Sequence, residues 1–221
     1  MFLNLFKLAA NFVQRIFILL FTASDHKYEQ IVSIDKSVWL KLAKPILHNN
    51  NTFSVFNYND KLVSKALYYI KNKKDEKILN ALCQILVDHL TEELFEQEIF
   101  NNFSSPIIVN IPSSRSHILR RGYNPSTLIA KKISQLSQID FIENVIAKSK
   151  LTPEQKTLSR YERLKNMKNS MTIKNDHIPN IRNKCVIVVD DIMTTGATLK
   201  EARRVLLKNG AKKILGVVLA H

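Results

Sequence analysis

The sequence predicts an α/β fold, a mainly parallel sheet flanked by helices with an α-helical appendage at the N-terminal side. Two observations carry this. Val186, Ile187, Val188 and Val189 form an apolar, β-branched run with no polar alternation, the pattern of a strand buried on both faces of a parallel sheet. Two more short apolar runs, at 105–111 (SPIIVNI) and 214–219 (ILGVVL), are separated from it by stretches of helical periodicity, as strands joined by helical crossovers are. A chain of 221 residues buries one sizeable core. The expected division is therefore an appendage over residues 1–55 and one domain over 56–221.

The first element is residues 1–21. Asn4, Lys7, Asn11, Gln14 and Arg15 recur at helical spacing on one face, which predicts an amphipathic helix. The uninterrupted apolar run covers only residues 16–23, short of the roughly 20 residues a bilayer crossing requires. Such a helix docks on the protein's own core or a partner, with peripheral membrane contact as the alternative. Export by a signal peptide is the third reading, and the substrate expected below argues for a cytoplasmic location instead.

Residues 25–58 carry the weakest signal. Trp39, Leu40, Leu42, Ile46 and Leu47 predict one short helix ending near Asn49, and NNNTF at 49–53 reads as a turn. Asp60 is placed to cap a helix with Leu62, Val63, Ala66, Leu67 and Ile70 on one face. A second helix over residues 75–100 puts Ile78, Leu82, Ile85, Leu86 and Leu90 at core spacing. After the 105–111 strand, IPSSRSHILRRGYN at 111–124 joins small hydroxyl residues to cations. Ser113 and Ser114 are candidates to hold a diphosphate, with Arg115, Arg120 and Arg121 to neutralise it. Gly122, one of only four glycines, marks a turn before a helix over 124–137, and residues 143–147 read as a strand. The polar, basic stretch 151–169 fits either a solvated helix or a flap over a phosphorylated ligand.

The stretch 186–199, VIVVDDIMTTGATL, organises the rest. Asp190 and Asp191 arrive where the buried strand would end, and Thr194, Thr195, Gly196, Ala197 and Thr198 then form a hydroxyl-rich turn before a helix over 199–209. Backbone N–H groups, hydroxyls and the helix dipole favour an anion at that turn. The two acids suit the hydroxyls of a sugar, or a hydrated Mg²⁺, beside it. Together they describe a ribose 5-phosphate site.

Bulk properties add bounds. Thirty-three Lys and Arg against nineteen Asp and Glu give a formal charge of +14, which favours nucleic acid or an anionic membrane surface. The cations are spread along the chain rather than collected with aromatics, so phosphate-ligand binding and solvated charge explain much of the excess. Cys83 and Cys185 are the only cysteines and read as small core residues in a reducing compartment. The six histidines show no metal-ligand spacing, so no zinc is expected.

The stretch 186–199 resembles the phosphoribosyl-pyrophosphate (PRPP) motif of the type I phosphoribosyltransferases. That resemblance implies the type I phosphoribosyltransferase fold. It assigns Asp190 and Asp191 to the ribose 2- and 3-hydroxyls with Mg²⁺ nearby, and Thr194 to Thr198 to the 5-phosphate. Three segments in order, RRGYN at 120–124, QKTLSRYERLKN at 155–166 and VIVVDDIMTTGAT at 186–198, resemble the ComF-type competence proteins, a branch linked to DNA uptake. The first two single out Arg121, Gly122, Asn124, Gln155, Arg160, Arg163 and Asn166 as motif or flap residues. Such proteins often begin with an apolar helix and a cysteine-rich zinc module, yet residues 22–55 hold no cysteine. Pro112, Ser113, Ser114 and Arg115 also depart from the family's Pro, apolar, Pro, Leu loop, Tyr123 stands where Phe is commoner, and Pro125 where Gln is usual. Thr194 occupies a position that is commonly an acid in purine-salvage relatives, and threonine is a poor proton acceptor near neutrality.

The function implied is Mg²⁺-dependent PRPP binding in DNA uptake, with transfer of ribose 5-phosphate to a nitrogen acceptor where the site is catalytic. A single-stranded-DNA-binding module, a partner of the competence machinery, and a PRPP-sensing regulator are the alternatives on the same fold.

Overall fold

A computed structural model describes residues 28–149 and 169–221. The expectations for residues 1–21 and for Gln155, Arg160, Arg163 and Asn166 lie outside the described residues. Within them the chain runs α1 (Lys36–Leu42), β1 (Ala43–His48), β2 (Thr52–Phe56), α2 (Lys61–Lys73), α3 (Glu76–Asn101), β3 (Ile107–Asn110), α4 (Arg115–Arg121), α5 (Pro125–Ser137), β4 (Ile146–Lys148), β5 (Met171–Ile173), a 3₁₀ turn (Asn175–His177), α6 (Ile178–Ile181), β6 (Cys185–Ile192), α7 (Ala197–Lys208) and β7 (Lys213–Ala220).

Five strands form one sheet in the order β1-β2-β7-β6-β3. β2, β7, β6 and β3 run parallel and only β1 is antiparallel to its neighbour. Alternation along β6 explains why both faces are apolar. Cys185, Ile187 and Val189 enter one core with α2, α3 and α5, while Val186 and Val188 enter a second core with α7 and the β4–β5 ladder. β7 divides likewise, Leu215, Val217 and Leu219 against Ile214 and Val218. Each fully buried aliphatic side chain contributes about 1.5–3 kcal/mol, so β6 and β7 are the parts least free to move.

The helices begin where the sequence places their caps. Asp60 Oδ1 accepts from Leu62 N and Val63 N at 2.8 and 3.1 Å, and Asp75 Oδ1 accepts from Ile78 N at 2.9 Å. The N-terminal side differs from the sequence reading. The helix expected to end near Asn49 stops at Leu42, and β1 follows it. Pro45 is the reason, because it has no N–H for a helical bond and pushes Lys44 towards an extended conformation. The turn at Asn49–Asn51 leads into β2, whose five residues are all buried and which pairs with β7. Two strands thus come from the segment assigned to the appendage, and Ile31 and Trp39 also join the core.

The strand expected at 143–147 lies at Ile146–Lys148 and pairs with β5 rather than joining the main sheet. The edge of β3 is instead covered by residues 140–142, through Ile108 N to Asp140 O at 2.8 Å and Ile142 N to Ile108 O at 2.9 Å. The β4–β5 ladder brings Ser149 to Ser170, with a 2.9 Å bond from Ser149 N to Ser170 O.

Close approach of β2 to β7 requires Gly216. A Cβ built there would lie 2.8 Å from Thr52 Oγ1, and Thr52 is 1% exposed. Gly216→Ala is expected to lower stability by about 1–3 kcal/mol, read from urea unfolding, with part of the loss recovered by adding Thr52→Ala. An unchanged midpoint in the single variant would contradict this packing.

Candidate active site

The acid pair occupies the C-terminal end of β6, where Asp190 still pairs in register with Val218. Loops beyond the carboxyl ends of strands are the usual place for ligands in open α/β sheets. Asp190 Oδ1 accepts from Ser126 Oγ at 2.7 Å and from Asp191 N at 2.9 Å. Asp191 Oδ1 accepts from Ile192 N at 2.8 Å, while its Oδ2 lies 2.7 Å from Lys71 Nζ. Burial, and then the Asp191 charge, push the Asp190 carboxyl up to about 7, against the opposing pull of Ser126, the backbone and Lys71. Lys148 on β4 is driven the other way, its pKa lowered by burial and partly restored by Asp190. Two acids and two lysines therefore share this end of the sheet.

The bend at residues 194–196 follows directly. Gly196 has φ +71° and stands at the N-cap of α7 without a side-chain cap bond. The nearest local substitute is Thr195 Oγ1, 3.4 Å from Ala197 N. Ala197 is buried, whereas Thr194 is exposed and Thr195, Gly196 and Thr198 are partly so. The first turn of α7 thus presents N–H groups beside three hydroxyls, the arrangement that binds an anion.

The loop after β3 reaches the same end of the sheet, since Ile111 N donates to Val189 O at 2.9 Å. Ser113 Oγ donates to Asn124 Oδ1 at 2.8 Å, and Asn124 Nδ2 donates to Ile111 O at 2.8 Å. Ser114 Oγ caps α4 through His117 N at 3.4 Å and sits 3.1 Å from Ser116 Oγ. Both hydroxyls have protein partners, and Arg115 is exposed. Arg121 ends α4 with its Nε buried and without a hydrogen-bond partner. Gly122 ends that helix at φ +79°. A Cβ there would meet nothing within 4 Å, so the backbone angle rather than space requires glycine. Tyr123 Oη accepts from Lys74 N at 2.8 Å and donates to Ile70 O at 3.1 Å. The RRGYN segment is thereby tied to the end of α2, the helix that carries Lys71.

The structure brings together Asp190, Asp191, the 194–198 bend and the Ser113–Asn124 pair. Lys71, Ser126 and Lys148 were missed in the sequence because each lies far along the chain from the acids and carries no spacing signal. Among the described residues, no group of three or more His, Cys, Asp or Glu could hold a metal ion. Two neighbouring carboxylates nevertheless fit Mg²⁺, which usually binds through one or two carboxylates and completes its shell with water and substrate oxygens. No helix among the described residues is long and apolar enough to cross a membrane.

A mainly parallel sheet with an interior strand that ends in an acid pair, a hydroxyl-rich bend and a helix N-terminus defines a phosphoribosyltransferase-type domain. Residues 84–221 match the phosphoribosyl transferase domain family, and the chain belongs to that family. Its relatives put it in the ComF-type branch. It is 27% identical over 152 residues to the DNA utilization protein YhgH of Escherichia coli (strain K12), covering 69% of this chain and 64% of that protein. It is 34% identical over 109 residues to competence protein F of Haemophilus influenzae, covering 48% and 46%. It is 28% identical over 185 residues to competence protein ComFC of Bacillus subtilis, covering 80% and 66%. The chain thus spans less than two thirds of the YhgH protein's length. Adenine phosphoribosyltransferase from Leishmania donovani is a partial structural likeness, at 13% identity and TM-score 0.43 over 79% of this chain and 72% of that one.

The raised Asp190 carboxyl has a stability consequence. An unfolded aspartate loses its proton near about pH 4, so between there and about 7 the folded chain binds more protons than the unfolded one. The cost of ionising Asp190 then grows as pH rises through that window. Asp190→Asn keeps an oxygen for Ser126 and Asp191 N and removes the charge. It is expected to raise the melting temperature at about pH 8 by about 2–4 °C for each kcal/mol relieved, with the gain fading towards about pH 4. A lower melting temperature at pH 8 would contradict the assignment.

Proposed function

We propose that this protein binds PRPP together with Mg²⁺ and serves DNA uptake. The observation that carries the reading is the acid pair at the open end of β6 followed within a few residues by the bend at 194–196 and the uncapped start of α7. Asp190 and Asp191 accept from the ribose 2- and 3-hydroxyls, and Thr194 to Thr198 take the 5-phosphate. Ser113, Ser114 and Arg115 face the diphosphate, and Lys71, freed from Asp191, supplies a further cation. Mg²⁺ held by Asp190 and Asp191 would neutralise the departing diphosphate. The names of the relatives, DNA utilization and competence, support the process but not a partner.

Where the site catalyses, a nitrogen nucleophile attacks the anomeric carbon, the bond from that carbon to the diphosphate oxygen breaks, and its electron pair leaves with the diphosphate. The protein's task is to align the groups, compensate charge and exclude water. The +14 charge supports a second reading, single-stranded DNA held on the same fold.

Isothermal titration with PRPP and Mg²⁺ tests the first reading. It predicts saturable heat, and for Asp191→Asn an affinity lower by about 10- to 100-fold, the loss of a hydrogen bond to a charged group. No heat from PRPP, with single-stranded DNA still bound at physiological salt, would replace it with the second.

A further inference from the structure

A cavity of about 280 Å³ is bordered by Asn51, Asn101, Phe103, Arg203, Leu207 and Lys213. Asn51 directly precedes β2 and Lys213 opens β7, so the cavity lies at the amino ends of the parallel strands. Asp190 and the bend belong to the opposite, carboxyl end of β6. The volume is close to the lower bound of small-molecule sites, about 300 Å³. The phosphoribose reading uses none of these residues.

Two cations face this space with donors to spare. Arg203 and Leu207 stand four residues apart on α7 and therefore share a face. Arg203 is partly buried, and its Nη2 donates to Asn51 O at 3.0 Å. That carbonyl already accepts from Gly216 N at 3.0 Å, so the turn before β2 does not need the guanidinium to satisfy it. The other Arg203 donors have no partner among the described residues. Lys213 Nζ donates to Asn101 O at the end of α3. Neither cation forms an ion pair among the described residues. Burial lowers the Arg203 pKa and no acid opposes it, yet a guanidinium stays charged.

The amides around the cations are already engaged. Asn51 Nδ2 donates to Ile214 O at 2.7 Å, Asn101 Nδ2 to Gln97 Oε1 at 3.0 Å, and Gln97 Nε2 to Glu93 Oε1 at 2.8 Å. Glu93 is thus held by Gln97, outside the lining of the cavity. A partly buried cation without a carboxylate carries a cost that an anion removes. A guanidinium fork beside an ammonium matches a tetrahedral oxyanion, the fork taking two oxygens and the ammonium a third. Phe103, Leu207 and Ile214 add an apolar floor, which a bare inorganic ion would leave uncovered.

We propose that this cavity binds a small phosphate monoester, with its phosphate on Arg203 and Lys213 and its carbon body over Leu207. It is a second ligand site, separate from the acid pair and independent of what the acid pair binds.

The test titrates the full chain with ribose 5-phosphate, AMP and inorganic phosphate at constant ionic strength, with ribose and adenosine as uncharged controls. The readout is the Arg203 Nε–H signal in proton–nitrogen spectra, assigned by its loss in Arg203→Lys. It reports this cavity even where a monoester also visits the phosphate bend. At least one monoester is expected to move the signal saturably and to bind more tightly than inorganic phosphate, while ribose and adenosine leave it in place. Lys213→Met keeps an apolar stem and is expected to weaken that monoester by about 10- to 100-fold. Leu207 is 48% exposed, so Leu207→Glu tests the site without disturbing the core. Its carboxylate, one turn from Arg203, is expected to displace the monoester, and the heat from PRPP is expected to persist in both variants. The proposal is overturned if no monoester moves the Arg203 signal, if inorganic phosphate binds as tightly as the monoesters, or if either variant keeps the parent affinity. A single-stranded oligonucleotide without terminal phosphates that moves the signal at lower concentration than either monoester would also overturn it, giving the cavity to nucleic acid. PRPP heat on the parent protein reports the phosphoribose reading separately, so the two failures are distinguishable.

Discussion

Everything at the site depends on placing two carboxylates side by side at the end of a strand that cannot shift. β6 is buried on both faces, and its apolar residues alternate between two cores. A displacement by one residue would exchange those faces. Held in this way, Asp190 is partly withdrawn from water beside a second negative charge, and the fold tolerates it by donating to it from Ser126 and from the backbone. Lys71 compensates Asp191. The arrangement carries an electrostatic cost without ligand that a diol or a divalent cation would relieve, as expected where local stability is given up for a site.

That cost links distant parts of the chain. Lys71 sits on α2, and α2 ends against the Tyr123 hydroxyl. Gly122 gives the backbone the left-handed turn that lets α4 stop and Tyr123 reach back. The RRGYN segment therefore positions a cation of the acid pair through another helix. Asn124 has a separate task, joining Ser113 and the backbone of Ile111 while capping α5.

Much of the sheet and its helices was legible because the signals were local. The β-branched run gave β6, Asp60 and Asp75 gave the starts of α2 and α3, and Asn124 gave the start of α5. The stretch around β1 and β2 was not legible. Its apolar residues, Trp39 to Leu47, satisfy a helical spacing until Pro45 intervenes, and TFSVF is too short to separate a buried strand from a helix by periodicity. At the site, the acids and the bend could be read because they are contiguous. Lys71, Ser126 and Lys148 could not, since only the folded sheet brings them to one end.

The central claim is that the acid pair and the threonine-lined bend hold opposite ends of one phosphorylated pentose. A crystal of the full chain grown with PRPP and Mn²⁺ in place of Mg²⁺, measured at the manganese absorption edge, tests it most directly. The account predicts one anomalous peak beside Asp190 and Asp191, with 5-phosphate density against Thr195, Gly196 and Ala197 and the Lys71–Asp191 contact opened. Manganese away from both carboxylates, or a phosphate seated elsewhere with the bend empty, would contradict it.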